Sequence, residues 1–164
     1  MDIKRWLSIK NKDYNCFIGL IYLILRYPEF RSLFYHRIGK IRSLICKYLP
    51  GRTNLYFHTP TSRIGGGFYV GHGWGTVINA SKIGANCGVG QNCTIGSRNR
   101  KTPILENGVM VWANAVVLGD IVVGENSQIG AGSVVVKNVP SNSVVVPSKS
   151  CIIRKDNKRC KIFL

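Results

Sequence analysis

Carboxylates are scarce in this chain: 7 Asp and Glu stand against 23 Lys and Arg, for a formal net charge of +16 at pH 7. A surface so short of acid gathers anions, and phosphate-bearing ligands above all. Histidine is scarcer, with 3 in 164 residues. His36, His58 and His72 are the whole set, and His36 lies outside the repetitive part of the chain, which speaks against a metal centre of three imidazoles. The 6 cysteines form no CxxC pair and no Cys/His metal spacing, so no zinc site is expected. No apolar run reaches the roughly 20 residues of a membrane span. The segment from Cys16 to Leu25 comes nearest and stops at Arg26 and Pro28. With no cleavable signal sequence evident, these absences point to a reduced, cytoplasmic protein. A composition with 45% hydrophobic and 18% charged residues also excludes a disordered chain.

What is present is a period. Aliphatic-Gly pairs recur at Ile64-Gly65, Val70-Gly71, Ile83-Gly84, Val89-Gly90 and Ile95-Gly96, then at Val123-Gly124 and Ile129-Gly130. Leu105, Val111, Val117 and Val135 carry the same six-residue beat without the glycine. One aliphatic in six matches neither the three-to-four spacing of a helix nor the alternation of a half-buried strand. The fourth residue after each anchor is small or β-branched: Cys87, Cys93, Val109, Ala115, Ser127 and Ser133. That is the composition of an inward corner in a narrow tube. Cys87 and Cys93 therefore read as reduced core residues rather than halves of a disulfide. The pattern resembles the hexapeptide repeat of the left-handed parallel β-helix, an all-β solenoid in which three hexapeptides make one triangular coil and residues eighteen apart stack. Stacked coils bury a continuous aliphatic core that no single turn could bury alone.

Three regions follow. Residues 1–51 lack the beat, are rich in aromatic and basic residues, and are expected to form a short helical cap. Their apolar segment fits a helix docked on the coil or on another subunit, with peripheral membrane contact as the alternative. Residues 52–150 are the expected β-helix, and residues 151–164 a basic tail.

The beat is interrupted twice, and interruptions in a solenoid are where loops project and function gathers. One lies between Val70 and Ile83 and contains His72, flanked by Gly71 and Gly73; the other is a longer loop between Ile95 and Leu105. An imidazole in such a loop can take a proton from a hydroxyl near neutral pH, or it can be a plain solvent-exposed side chain. The residues alone leave both readings open.

The run IGGGFYVGHGWGTVIN resembles the segment around the catalytic His of serine acetyltransferases, especially the short serine-acetyltransferase-like enzymes of bacterial polysaccharide gene clusters. The similarity continues through NCGVGQNCTIG and LENGVMVWANAVVLGDIVVGENSQIGAGSVVVKNVPSNS, about two thirds of the chain. It implies an acetyl-CoA-dependent O-acetyltransferase in which His72 deprotonates the acceptor hydroxyl. Other family positions are altered. Gly71 stands where the family has an Asp before the catalytic His, and Phe57 or His58 where a second Asp orients it. Lys101 and Thr102 align with the Arg-His pair that holds the amino acid's carboxylate. Lys101 can still supply a cation to the acceptor. Two acceptors stay open, L-serine and, as the alternative, a sugar hydroxyl of a capsule or O-antigen precursor: the overall pattern is that of the serine acetyltransferases, the lost acids favour the sugar, and acetyl transfer is implied by both.

For acetyl-CoA, the resemblance implies contacts from Ala113 and Ala131, eighteen apart, then from Val136, Lys137 and Arg154. Read as residues alone, the alanines are equally ordinary coil packing and Lys137 a solvated charge. Before Arg154 the family's glycine-containing run is replaced by Pro147 to Ser150. The resemblance also implies a homotrimer with active sites between subunits, and no metal. Trp74 either lines the acceptor pocket or packs at the trimer seam. Two other classes compete with this reading. A γ-class carbonic anhydrase shares the β-helix but needs three His ligands, and a nucleic-acid or membrane-surface binder would use the +16 charge without any recognised motif.

Overall fold

The computed structural model describes residues 1–43, 48–148, 151–155 and 158–163. Cys46, Lys149 and Ser150 lie outside the described residues.

The helices come first: α1 (Asp2–Ile9), α2 (Cys16–Arg26) and α3 (Pro28–Ser43). Asn15 caps α2, its side-chain oxygen accepting from the amides of Phe17 and Ile18 at 3.1 and 2.9 Å. Pro28 opens α3, a position where its missing N–H is no loss. Gly39, at φ 80°, kinks that helix near its end. α1 binds the coil through its first turn and its aromatic residue. Asp2 Oδ1 accepts from the amides of Gly67 and Phe68, and the fully buried Trp6 donates its indole N–H to the Phe68 carbonyl at 2.9 Å. Arg37 on α3 pairs with Asp2 at 3.0 Å and donates to the carbonyls of Ile64 and Gly65. The apolar segment foreseen in the sequence is half docked. Gly19 and Leu23 of α2 are buried, whereas Phe17 and Leu25 face outward.

Five coils of parallel solenoid follow. The first contains β1 (Leu55–Phe57) and β2 (Tyr69–Val70); the second β3 (Thr76–Ile78), β4 (Lys82–Ile83) and β5 (Gly88–Val89). The third is β6 (Thr94–Gly96), β7 (Ile104–Leu105) and β8 (Met110–Val111); the fourth β9 (Val116–Leu118), β10 (Val122–Val123) and β11 (Gln128–Ile129). The fifth has β12 (Val134–Val135) and β13 (Val144–Val145). Stacking gives three parallel sheets: β1-β3-β6-β9-β12, β4-β7-β10 and β2-β5-β8-β11-β13. The middle sheet is extended at both ends by single bridges, Ile64 to Ile83 and Val123 to Val139. We call them the first, second and third walls, in the order the chain visits them within a coil.

The six-residue anchors line the inside. Val89, Ile95, Leu105, Val111, Val117, Val123 and Ile129 are all buried, and so are Cys87, Cys93, Val109, Ala115, Ser127 and Ser133. Glycine follows an anchor because the coils approach closely there. At Gly84 an added Cβ would lie 2.6 Å from the Asn107 nitrogen of the next coil. The turns between the second and third walls repeat a left-handed residue, with Asn86, Asn126 and Asn142 at φ of 57°, 57° and 58°. Asn and Gly are the residues that tolerate that conformation. After β13 the described part of the basic tail pairs with itself, β14 (Cys151–Lys155) running antiparallel to β15 (Lys158–Phe163).

Candidate active site

The first interruption is the turn from the third wall to the first, between β2 and β3. Its extra length falls before Ile78, which is the buried anchor of β3. His72 sits there with φ 63°, exposed, in a left-handed conformation uncommon for a residue with a side chain. The backbone around it is held from below and from the side. Gly71 donates to the Val89 carbonyl of the next coil at 2.7 Å, and Gly73 donates back to the Gly71 carbonyl at 2.8 Å. Gly73 is obligatory, since its φ is 67° and a Cβ would lie 3.0 Å from Val70 and 3.1 Å from Leu55. Trp74, next to it, is 49% exposed. Its ring carries the guanidinium of Arg52, 3.9 Å from the centroid, and Arg52 Nε donates to the His72 carbonyl at 3.2 Å. Phe57, which with His58 is one of the two residues that the resemblance sets against a carboxylate, is stacked on His36 at 4.7 Å. Burial lowers the pKa of His36, whose Nε2 lies 2.9 Å from the Thr59 carbonyl.

The second interruption is a tight hairpin rather than an open loop. Arg98 and Lys101 exchange backbone hydrogen bonds at 3.0 and 3.2 Å, and Asn99 and Arg100 between them have φ of 54° and 63°. Two positive φ values in a two-residue connection make a type I′ turn. Lys101 is ion-paired with Asp120 of the following coil, whose hydrogen bond and charge raise the Lys101 pKa. Arg98, Asn99, Lys101, Leu118, Asp120 and Val136 border an open cleft of about 380 Å³.

The candidate residues fall into two groups. Ala113 and Ala131 occupy the same corner column as the His72 turn, in successive coils. Hydrogen bonds from Asn92 to the Trp74 carbonyl, Asn114 to Gln91 and Gly132 to Ala113 tie that column together. Val136 and Lys137 stand on the other corner of the first wall, above the hairpin of Lys101. Within one chain the first wall therefore separates His72, Trp74, Ala113 and Ala131 from Lys101, Val136 and Lys137. Arg154 is on β14, exposed, beyond the last coil.

Arg52 and Glu29 beside the His72 turn, and Asp120 beside Lys101, belong to no motif in the sequence. Arg52 is one of many cations in a region without a motif. Glu29, on α3, is 5% exposed and lies 3.7 Å from Arg52, and burial of a charged side chain leaves no trace in local pattern. Asp120 carried one usable signal, as a rare acid one coil after the basic loop. Among the described residues no group of three or more His, Cys, Asp or Glu could hold a metal ion. No helix among them is long and apolar enough to cross a membrane.

A parallel solenoid on a six-residue beat, with a His on a left-handed turn at one corner, places the chain in the class of hexapeptide-repeat folds. The family described as bacterial transferase hexapeptide (six repeats) matches residues 102–137. The serine acetyltransferase of Synechococcus elongatus is 36% identical over 152 residues, which are 84% of this chain and 62% of that protein. The serine acetyltransferase of Helicobacter pylori strain 26695 is 32% identical over 151 residues, 82% of this chain and 86% of that protein. The crystal structure of serine acetyltransferase isoform 3 of Entamoeba histolytica, in complex with cysteine, superposes with a TM-score of 0.70 at 27% identity. It covers 95% of this chain and 59% of that one. The chain belongs to the serine acetyltransferase family, while spanning about three fifths of the Synechococcus relative's length.

Proposed function

We propose that this protein is an acetyl-CoA-dependent O-acetyltransferase with His72 as its general base. The observation that carries the reading is the His72 turn, an exposed imidazole on a rigid left-handed bend in a chain of the serine acetyltransferase family. In the reaction the imidazole takes the proton of an acceptor hydroxyl as its oxygen attacks the thioester carbonyl of acetyl-CoA. The tetrahedral intermediate collapses, expelling the thiolate of coenzyme A, and the imidazolium returns the proton to that sulfur. The products are an O-acetyl ester and free coenzyme A.

The pantetheine arm runs along the corner column of Ala113 and Ala131, and Val136, Lys137 and Arg154 meet its far end and phosphates. Because Lys137 and the Arg98–Lys101 hairpin lie across the first wall from His72, the complete site takes them from a neighbouring copy, which supports a homotrimer. Trp74 borders the acceptor.

The acceptor is the one point with a second reading. Asp120 neutralises Lys101, so the cation aligned with the family's carboxylate-binding pair is already engaged. That favours a sugar hydroxyl over the amino acid. Release of free thiol from acetyl-CoA, followed with L-serine and with a panel of sugars and nucleotide sugars, decides between them. His72→Ala is expected to lose at least about 100-fold in kcat with the preferred acceptor. Full activity in that variant would remove His72 from the chemistry.

A further inference from the structure

The side chain of Arg52 links the turn that presents His72 to the helical cap. Its backbone is seated against α3. The Arg52 amide donates to Ser32 Oγ at 2.7 Å, Arg31 Nε donates to the Pro50 carbonyl at 2.8 Å, and Gly51 packs so tightly that a Cβ would lie 2.3 Å from Ser32 Oγ. From that anchored base the guanidinium reaches across to the turn and uses three of its properties together. Nε donates to the His72 carbonyl at 3.2 Å, Cζ lies over the Trp74 ring 3.9 Å from its centroid, and Nη2 faces Glu29 Oε2 at 3.7 Å.

Glu29 is 5% exposed, and its Oε2 has no hydrogen-bond partner. An ionised carboxylate so far from water needs a counter-ion, and Arg52 is the cation beside it. Glu29 also flanks the turn directly, since a Cβ on Gly73 would lie 3.4 Å from the Glu29 Cβ. The left-handed conformation of His72 stores strain and persists only where its surroundings enforce it. Backbone hydrogen bonds of Gly71 and Gly73 hold the residues on either side. The fork of Arg52, between Glu29 and Trp74, adds a side-chain hold on the His72 carbonyl itself.

We infer that Arg52, oriented by Glu29 and stacked on Trp74, is a positioning residue that holds the His72 backbone in its left-handed conformation and so aims the imidazole. A planar fork is required. A lysine ammonium would keep the charge towards Glu29 but could not also stack and donate edge-on to the carbonyl. The helical cap acquires a role beyond docking on the end of the coil, because through Ser32, Arg31 and Glu29 it sets the geometry of the turn. This inference rests on His72 being the base of the proposed transferase.

The test has an activity arm and an arm independent of activity. With acetyl-CoA and the preferred acceptor, Arg52→Ala is expected to lower kcat roughly 10- to 100-fold, the range for a misplaced catalytic group. KM for acetyl-CoA should stay within about twofold, since no binding contact is removed. Arg52→Lys should remain impaired, and full recovery by Lys would overturn the requirement for the fork. In the second arm, hydrogen exchange is measured on the peptide covering residues 70–76, with the coil peptide 104–118 as internal standard. Exchange at 70–76 should be at least about tenfold faster in Arg52→Ala, as expected for a locally opened turn, with the standard unchanged. Unchanged exchange at 70–76 would overturn the inference whatever the activity. If Arg52→Ala does not fold, Trp74→Leu, which removes the ring beneath the guanidinium, should speed exchange in the same peptide in the absence of any acceptor; wild-type exchange there would refute it equally. Wild-type protein that releases no thiol with any acceptor would sink the transferase reading instead, and the exchange arm would still decide the role of Arg52.

Discussion

Cys87 illustrates how one side chain's environment sets its chemistry. It is fully buried on the inward corner of the second coil, and burial pushes its thiol up to about 11. A thiol neutral to so high a pH is a poor nucleophile. Alkylation of the native protein with iodoacetamide at pH 8 should therefore modify the exposed Cys16 and spare Cys87 and Cys93, as read by peptide mass. The same burial has a consequence for stability. The folded protein holds the Cys87 proton to higher pH than the unfolded chain does, so its stability is intact below pH 9, the thiol's ordinary value, and falls as pH rises towards about 11. Melting temperatures of wild type and Cys87→Ala across that window should converge if the thiol is responsible. The position of Cys87 inside the tube was legible from the six-residue phase it shares with Cys93. The support of His72 was not, because Arg52 reaches it from 20 residues away and no local pattern records that contact.

At the scale of the element, the solenoid depends on one anchor and one corner residue per wall. Ile129 is fully buried and pairs with Val111 and Val145 on either side. Ile129→Ala should cost about 2–4 kcal/mol in denaturant unfolding, from lost burial and the cavity left behind. Asn126 tests the corner, since its φ of 57° suits Asn and Gly but not a β-branched residue. Asn126→Val should destabilise by about 1–2 kcal/mol, whereas Asn126→Gly should stay within about 1 kcal/mol of wild type. The second interruption behaves differently from its sequence. It reads as a longer loop projecting from the coil, and Asn99 and Arg100, both at positive φ, close it as a tight hairpin. That reversal brings Lys101 to Asp120, a pairing between coils that a count along the chain does not disclose.

For the molecule as a whole, the first wall stands between the two candidate groups, and this makes a specific prediction about assembly. If the site is completed by a neighbouring copy, His72→Ala and a variant lacking the Arg98–Lys101 hairpin should each be inactive alone. Mixed after reversible dissociation, they should regain activity, because some interfaces then pair an intact His72 with an intact hairpin. Failure of the mixture, with oligomers of normal size by light scattering, would place the whole site within one chain.

The sequence by itself determined the solenoid, its core residues and the two breaks in its beat, because a repeated coil makes every structural requirement recur at a fixed interval. It also singled out His72, the only histidine in a break. Only the tertiary structure decided what surrounds these features: the cap docked through Trp6 and Asp2, the clamp of Glu29, Arg52 and Trp74 on the His72 turn, the ion pair that engages Lys101, and the wall between the two groups. The physical reason is one of range. Period, turn preference and burial phase are set by a residue and its near neighbours, whereas a salt bridge or a stacked guanidinium depends on where distant segments come to rest.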